Sequence, residues 1–340
     1  MATHNTTIKD IAQKLGLSTS TVSRAMNDRW EVKKETRELV LKTAEEMDYH
    51  SNPQAVFLAT KRSNTIGLVV PELVNSFFSI ISSGVQNILK EAGYRLLIMQ
   101  SNESPEEESE NILLLQHYNV DGIILSTTPN CEYNRTLYQK LIDDGLPLIF
   151  FNRVCNSIRA PKVIIDNMTL SYRVVKHLLK QGCKKIIHLA GPEGLTITDE
   201  RKNGYLRALG EFNIPIDKSL IFPTGIFQND GESAINRILD SGVRPDAIFS
   251  FNDPVAIGAM KALKKRGLKI PQDVAVAGFS ESRSALIIEP NLTTVAQPLT
   301  EMGETAARLL LNKLQGKDIG TPTVVLDAKI NIRESSLKNN

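Results

Sequence analysis

With 340 residues, of which 41% are hydrophobic and 23% charged, the chain is too long for one small core and reads as a globular protein of two or three domains. Its formal charge of +2 is too small to mark a nucleic-acid partner alone, although residues 1–62 hold the whole excess, ten Lys/Arg against eight Asp/Glu. No run approaches the roughly 20 apolar residues of a membrane span, and MATHNTTIKDIAQ lacks a signal peptide's apolar stretch, so a cytoplasmic protein without membrane contact is expected.

In chain order, Ile8, Ile11, Ala12 and Leu15 follow the i, i+3, i+4, i+7 spacing of one helix face. Thr7 with Asp10 predicts a capping box at its start, and Gly16 predicts its end in a left-handed conformation. Five hydroxyl residues, Ser18, Thr19, Ser20, Thr21 and Ser23, then crowd into six positions. Ser18 predicts the cap of a second helix with Val22 and Met26 inward. A third helix is predicted with Leu39, Val40, Thr43, Ala44 and Met47 on its inner side. HSNPQAVFLATKRSN, broken by Pro53, reads as a linker with a short helical turn or two.

From Thr65 the pattern changes. TIGLVVP, YRLLIMQS, VDGIILST, PLIFFN, KVIIDN, KKIIHLAG, PDAIFSFND and DVAVAGFS are short apolar runs separated by segments of helical periodicity. Continuous rather than alternating hydrophobicity predicts strands covered on both faces, hence parallel sheets in α/β units. There are too many such units for one comfortable sheet. Two doubly wound subdomains are predicted, with a ligand in the crevice at the carboxyl ends of their strands. The acidic PEEESE at 105–110 reads as a solvated first helical turn, favoured by the helix dipole.

Ala12, Gly16 and Val22 are spaced as in a helix-turn-helix, where a small residue, a turn glycine and a β-branched anchor let two helices cross tightly. Spacing alone leaves open a three-helix domain that only packs. IKDIAQKLGLSTSTVSRAMN, ETRELV and MDYHSNPQAVFLA, followed by LAGP, RKNGY, FNDPVAIGAMKAL, AVAGF and LTTVAQPLTEMG, resemble the lactose-repressor (LacI/GalR) family from about residue 7 to 335.

The resemblance implies an all-α helix-turn-helix headpiece over 1–50, a hinge helix and linker over 51–63, and an α/β core over 64–340 built like periplasmic sugar-binding proteins. It implies an N-subdomain of 64–163 and 294–322 and a C-subdomain of 164–293 and 323–340. The implied partners are double-stranded operator DNA, a small-molecule effector and a second copy of the chain; no cofactor is implied. The positions matching the reading helix are Thr19 and Ser20, with Thr21, Ser23 and Arg24 nearby. Their short hydroxyls read bases permissively. Thr7, Ser18, Ser23 and Thr36 are candidate phosphate contacts, which position without specifying sequence. Asn52, Ala55 and Leu58 match the hinge, with Leu58 matching a leucine that wedges into the minor groove. Lys33 and Lys34 depart from the family's small polar residue before the third helix, and Trp30, Val56 and Phe57 are likewise unusual.

Motif by motif, the resemblance assigns ligand contact to Asn152, Arg201, Phe227, Asn252, Asp253, Ser280 and Gln297. A guanidinium, several amides and an aromatic face make a chemically sensible sugar set. Phe77 and Phe78 either cover the pocket or pack in the core. Many sugar-responsive members carry Asp where Ser280 stands, so a simple neutral sugar is disfavoured. A sugar phosphate, sugar acid or purine stays open, with a negatively charged sugar derivative preferred.

An enzyme is not expected, because no GxxxxGK[ST], strand-linked GxGxxG, HExxH or GxSxG occurs. His4, His50, His117, His177 and His188 show no metal spacing and are read as surface or helix residues. Cys131, Cys155 and Cys183 are odd in number and far apart, with no CxxC pair, and are expected to stay reduced and metal-free. The alternative function is a soluble sugar-binding protein without a regulatory role. No heptad tail follows NIRESS, so a homodimer is expected rather than a tetramer.

Overall fold

A computed structural model describes residues 6–26, 31–49 and 62–338. Two compact units result, residues 1–63 and 64–340. In the first, α1 (Ile8–Leu15), α2 (Thr19–Met26) and α3 (Lys34–Glu46) surround a small core of Ile11, Ala12, Val22, Ala25, Val40 and Ala44. Local chemistry sets the boundaries. Thr7 Oγ1 accepts from the Asp10 amide at 3.4 Å while the Asp10 carboxylate accepts from the Thr7 amide at 2.7 Å, closing the capping box. Gly16, at φ +62°, turns the chain out of α1, and the Leu17 amide donates to Ala12 O at 3.0 Å. Ser18 Oγ accepts from the Thr21 amide at 3.1 Å and starts α2. Ser18→Ala should cost about 1 kcal/mol of headpiece stability, read as a lower melting midpoint of the headpiece transition.

Two side chains differ from the periodicity reading. Leu39 is 51% exposed rather than inward, because its position on α3 lies outside the arc that faces α1 and α2. Ala25 is fully buried beside Val22, whereas Met26 is only half-buried.

In the second unit the elements alternate as β1 (Thr65–Val70), α4 (Ser76–Glu91), β2 (Arg95–Gln100), α5 (Pro105–His117), β3 (Gly122–Leu125), α6 (Arg135–Asp143), β4 (Leu148–Phe151) and β5 (Lys162–Ile165). After these come α7 (Asn167–Lys180), β6 (Ile186–Gly191), α8 (Thr196–Glu211), β7 (Ile221–Pro223), α9 (Gln228–Asp240), β8 (Ala247–Ser250), α10 (Asp253–Lys265) and β9 (Ala275–Ala277). Last are β10 (Thr294–Ala296), α11 (Leu299–Leu314), β11 (Thr323–Leu326) and β12 (Lys329–Asn331).

One sheet has the order β11-β5-β4-β3-β1-β2 and the other β7-β6-β8-β9, each with parallel neighbours. β10 and β12 form a separate antiparallel pair. Alternate residues of β1 serve opposite layers: Ile66, Leu68 and Val70 face α4 and α11, and Val69 packs with Ile112, Leu115 and Tyr138 of α5 and α6. The crossing of α9 and α10 is closed by Gly231 and Gly258, where an added Cβ would strike backbone carbonyls.

The expected subdomain boundary needs one correction. Thr323–Leu326 pairs with Lys162–Ile165 in the first sheet instead of belonging to the second subdomain, and β5 runs on to Ile165. β11 is an edge strand whose Val325 is 55% exposed, so its run carries no mark of which sheet it joins. β2, the other edge, leaves Leu97 and Ile98 partly exposed, unlike a strand covered on both faces.

Candidate functional site

In the headpiece, the first turn of α2 presents Ser18, Thr19 and Ser20 exposed, with Thr21 and Ser23 half-buried. The Ser18 hydroxyl also bonds Ser20 Oγ and Thr21 Oγ1, each at 2.8 Å, so capping and display share one cluster. Thr7 is exposed at the start of α1, its hydroxyl donating to Asp10 at 2.7 Å. Arg24 reaches Glu31 at 3.2 Å, both partners about half exposed, a pair of small net worth that another anion can replace. Thr36 is half-buried near the start of α3. Asn52, Ala55 and Leu58, like Trp30, Val56, Phe57, His4 and His50, lie outside the described residues.

The second unit contains a cleft of about 700 Å³. Its wall is assembled from segments that leave the carboxyl ends of strands, where α/β sheets place ligands. β1 leads to Glu72, Asn75, Phe77 and Phe78; β4 to Asn152 and Arg153; β6 to Arg201; β7 to Phe227; β8 to Phe251 and Asn252; β9 to Ser280; β10 to Gln297.

Arg201 is a buried cation of the cleft wall, 2% exposed. Nε and Nη2 donate to Asn167 Oδ1 at 3.1 and 2.9 Å, and Nη1 donates to Phe251 O. The guanidinium lies 3.8 Å from the Phe279 ring centre and 4.7 Å from that of Phe251. Three of its five N–H groups are thereby used, leaving one on each Nη without a partner among the described residues. Burial pushes its pKa down to about 9, since a dry site disfavours charge. Among the described residues no carboxylate bonds it directly; Glu200 and Asp253 act on it from further away, and Glu200 accepts from Asn167 Nδ2 at 2.9 Å.

Other expected contacts divide by what already holds them. Asn252 caps α10, accepting from the Val255 amide and donating to Ile226 O, each at 2.9 Å. Phe78, 2% exposed, packs in the core against Phe151, whereas Phe77 is partly exposed beside it. Phe227 is 41% exposed at the rim. Gln297 Nε2 reaches Ser280 Oγ only at 3.5 Å, and Gln297 Oε1 is buried without a hydrogen-bond partner among the described residues. Asn152 adopts φ +54° directly after β4.

Asp253 is the correction. It does not line the cleft; it is fully buried beneath it, accepting from Thr294 Oγ1 at 2.5 Å and the Ser282 amide at 2.6 Å. Burial raises its pKa to about 6. Within FNDP, Asn252 lines the cleft and Asp253 turns beneath it to Ser282 and Thr294. His188 also departs from expectation, lying fully buried on β6 rather than at a surface or on a helix.

The motif reading does not reach Glu72, Arg153, Glu281 or Arg283. Arg153 forms a two-point ion pair with Glu103 at 2.6 and 3.0 Å, and Glu281 pairs with Arg333. Glu72 accepts from the Asn75 amide at 2.9 Å. With those two pairs neutralised, the charged residues lining the cleft are Arg201, Arg283 and Glu72, with Asp253 buried beneath it and Glu200 behind Asn167.

Comparison with known proteins agrees over both units. A family model described as "Bacterial regulatory proteins, lacI family" matches residues 7–52, and one described as "Periplasmic binding proteins and sugar binding domain of LacI family" matches residues 63–331. The HTH-type transcriptional regulator DegA of Bacillus subtilis (strain 168) is 32% identical over 331 residues, covering 97% of this chain and 98% of its own. The lac repressor dimer bound to operator and the anti-inducer ONPF superposes with a TM-score of 0.88 at 25% identity, covering 98% and 99% of the two chains. The complex of the transcriptional regulator CelR with cellobiose gives 0.74 at 29% identity over 97% and 100%. With both units matched in order and no described helix long and apolar enough to cross a membrane, the chain belongs to the LacI family of bacterial transcriptional regulators, a DNA-binding headpiece followed by a ligand-binding core.

Proposed function

We propose that the protein is a cytoplasmic, homodimeric repressor whose operator affinity is changed by an anionic sugar derivative, a sugar acid or sugar phosphate, bound in the cleft. The observation that carries the ligand class is Arg201, a buried guanidinium in the cleft wall with an N–H left on each Nη and no ion pair of its own among the described residues. Ser280 offers a hydroxyl and no charge, which suits such a ligand. The structural likeness to a cellobiose complex supports a carbohydrate over a purine. Exposed Leu97 and Ile98 on edge strand β2, with Leu113 and Leu114 on adjacent α5, support a second copy as partner. Effector and operator would be linked reciprocally by about 1–3 kcal/mol.

A thermal-shift screen of neutral sugars, sugar phosphates, sugar acids and purines against the full-length protein tests the ligand class, since a binder of the folded state raises its melting point. An anionic sugar is expected to respond. A response confined to neutral sugars or purines overturns the assignment.

On the DNA side, Thr19 and Ser20 read base edges in the major groove, while Thr7, Ser18, Thr21, Ser23 and Thr36 lie against the backbone. Arg24 exchanges Glu31 for a guanine or a phosphate. Replacing Thr19 and Ser20 together by Ala should weaken operator binding about 10–100-fold by gel shift while leaving affinity for unrelated duplex unchanged. An equal loss on both DNAs would assign these hydroxyls to the backbone instead.

A further inference from the structure

Cys131 and Cys155 are separated by a helix and a strand, yet the fold brings them together. Cys131 opens the short 3-10 turn Cys131–Asn134 beyond β3, and Cys155 follows β4; these central strands are parallel neighbours, so both cysteines leave the sheet at its carboxyl end. The two sulfurs and a Glu132 carboxylate oxygen lie within 4.8 Å of one another. Cys155 Sγ stands 3.7 Å from Glu132 Oε1 and 3.2 Å from Ser157 Oγ.

We propose that Cys131, Cys155 and Glu132 form a binding site for a thiophilic divalent metal ion of the zinc class. Tetrahedral zinc has bonds of about 2.3 Å to sulfur and 2.0–2.2 Å to oxygen, which put neighbouring donors about 3.5–3.8 Å apart. The Cys155–Glu132 separation already has that value, and sub-ångström shifts to about 1 Å bring the remaining donors there. Two thiolates with one carboxylate are a donor set that prefers zinc-like ions to magnesium or calcium. Three protein ligands leave a fourth position for water or the Ser157 hydroxyl. On binding, the two thiol protons go to solvent, and the complex of two thiolates, one carboxylate and a dication carries a single negative charge. Arg135 Nη1, 4.0 Å from the Glu132 carboxylate, offsets part of that charge. Cys183 is remote from this cluster, with its sulfur against Asp246 O.

The test titrates Co²⁺ anaerobically into the reduced, untagged full-length protein. The expected result is a sulfur-to-cobalt charge-transfer band that saturates at one metal per chain and is bleached by Zn²⁺. Cys131→Ser, at a half-buried position, and Cys155→Ser should both abolish the band, whereas Cys183→Ser keeps it. Glu132→Gln should weaken the apparent cobalt affinity by about tenfold or more. No band in the reduced wild type, or a band surviving Cys131→Ser, overturns the site. So does a chain that air oxidation links between Cys131 and Cys155 but that takes up no cobalt once reduced again.

Discussion

Arg201→Lys is expected to weaken binding of the effector by about 100-fold or more and to erase its thermal stabilisation of the core. One N–H is left on each Nη of Arg201, from which a carboxylate or phosphate can accept, and each charge-assisted hydrogen bond contributes roughly 1.5–3 kcal/mol. Lysine keeps the charge, but its single ammonium cannot hold Asn167 Oδ1, Phe251 O and a ligand from one place. It also loses the guanidinium's contact with the rings of Phe251 and Phe279. Calorimetric titration with the effector found by the screen measures the loss. Because Asn167 Oδ1 and Phe251 O lose their donor, the unliganded variant should also melt earlier, by about 1–3 kcal/mol of stability. A variant that binds the effector as tightly as the wild type would remove Arg201 from the site, whatever its melting point.

The cleft residues are legible through the family motifs that carry them, and some of those motifs sit beside strands that announce themselves as apolar runs, as Asn152 follows LIFF and Asn252 follows AIFSF. In the headpiece the signals are local too: Thr7 with Asp10, Gly16 and Ser18 act within four residues of themselves. What escaped depends on partners distant in sequence. Arg153, adjacent to Asn152, is neutralised by Glu103, fifty residues away, and Glu281 by Arg333. Asp253 is turned under the cleft by bonds to Ser282 and Thr294. β11 joins the first sheet through β5, some 160 residues earlier. Cys131 and Cys155 meet only because β3 and β4 are parallel neighbours. Hydrophobic period and capping chemistry carry no information about such pairings, which topology alone decides.

His188 depends on the same kind of distant packing, and its consequence is measurable. On β6 it is fully buried between Tyr205 and Phe249, with ring centres 5.2 and 4.8 Å away. Nδ1 lies 3.1 Å from Phe249 O, so this nitrogen carries the proton and donates, while Nε2 is buried without a partner among the described residues. Burial, with further repulsion from the positive Arg201 and Lys202, lowers the pKa to about 4 against an ordinary 6.5. As pH falls from 6.5 towards 4, the unfolded chain takes up a proton that the native chain does not. Core stability from this residue is therefore full above 6.5 and drains away through that window, by about 3 kcal/mol in all. Asp253, raised to about 6 by burial, works against it, because there the native state binds its proton first and gains as pH falls. The wild-type profile is the sum of these opposing trends, so the informative quantity is a difference. His188→Asn keeps a donor towards Phe249 O but cannot ionise. Chemical unfolding from pH 7.5 to 4 should show the variant less stable than the wild type at pH 7.5, with the gap shrinking by about 3 kcal/mol on descent as the wild type alone loses the histidine contribution. A gap that stays constant would mean that His188 protonates in the native state as readily as in the unfolded chain, and that β6 opens to water at its centre.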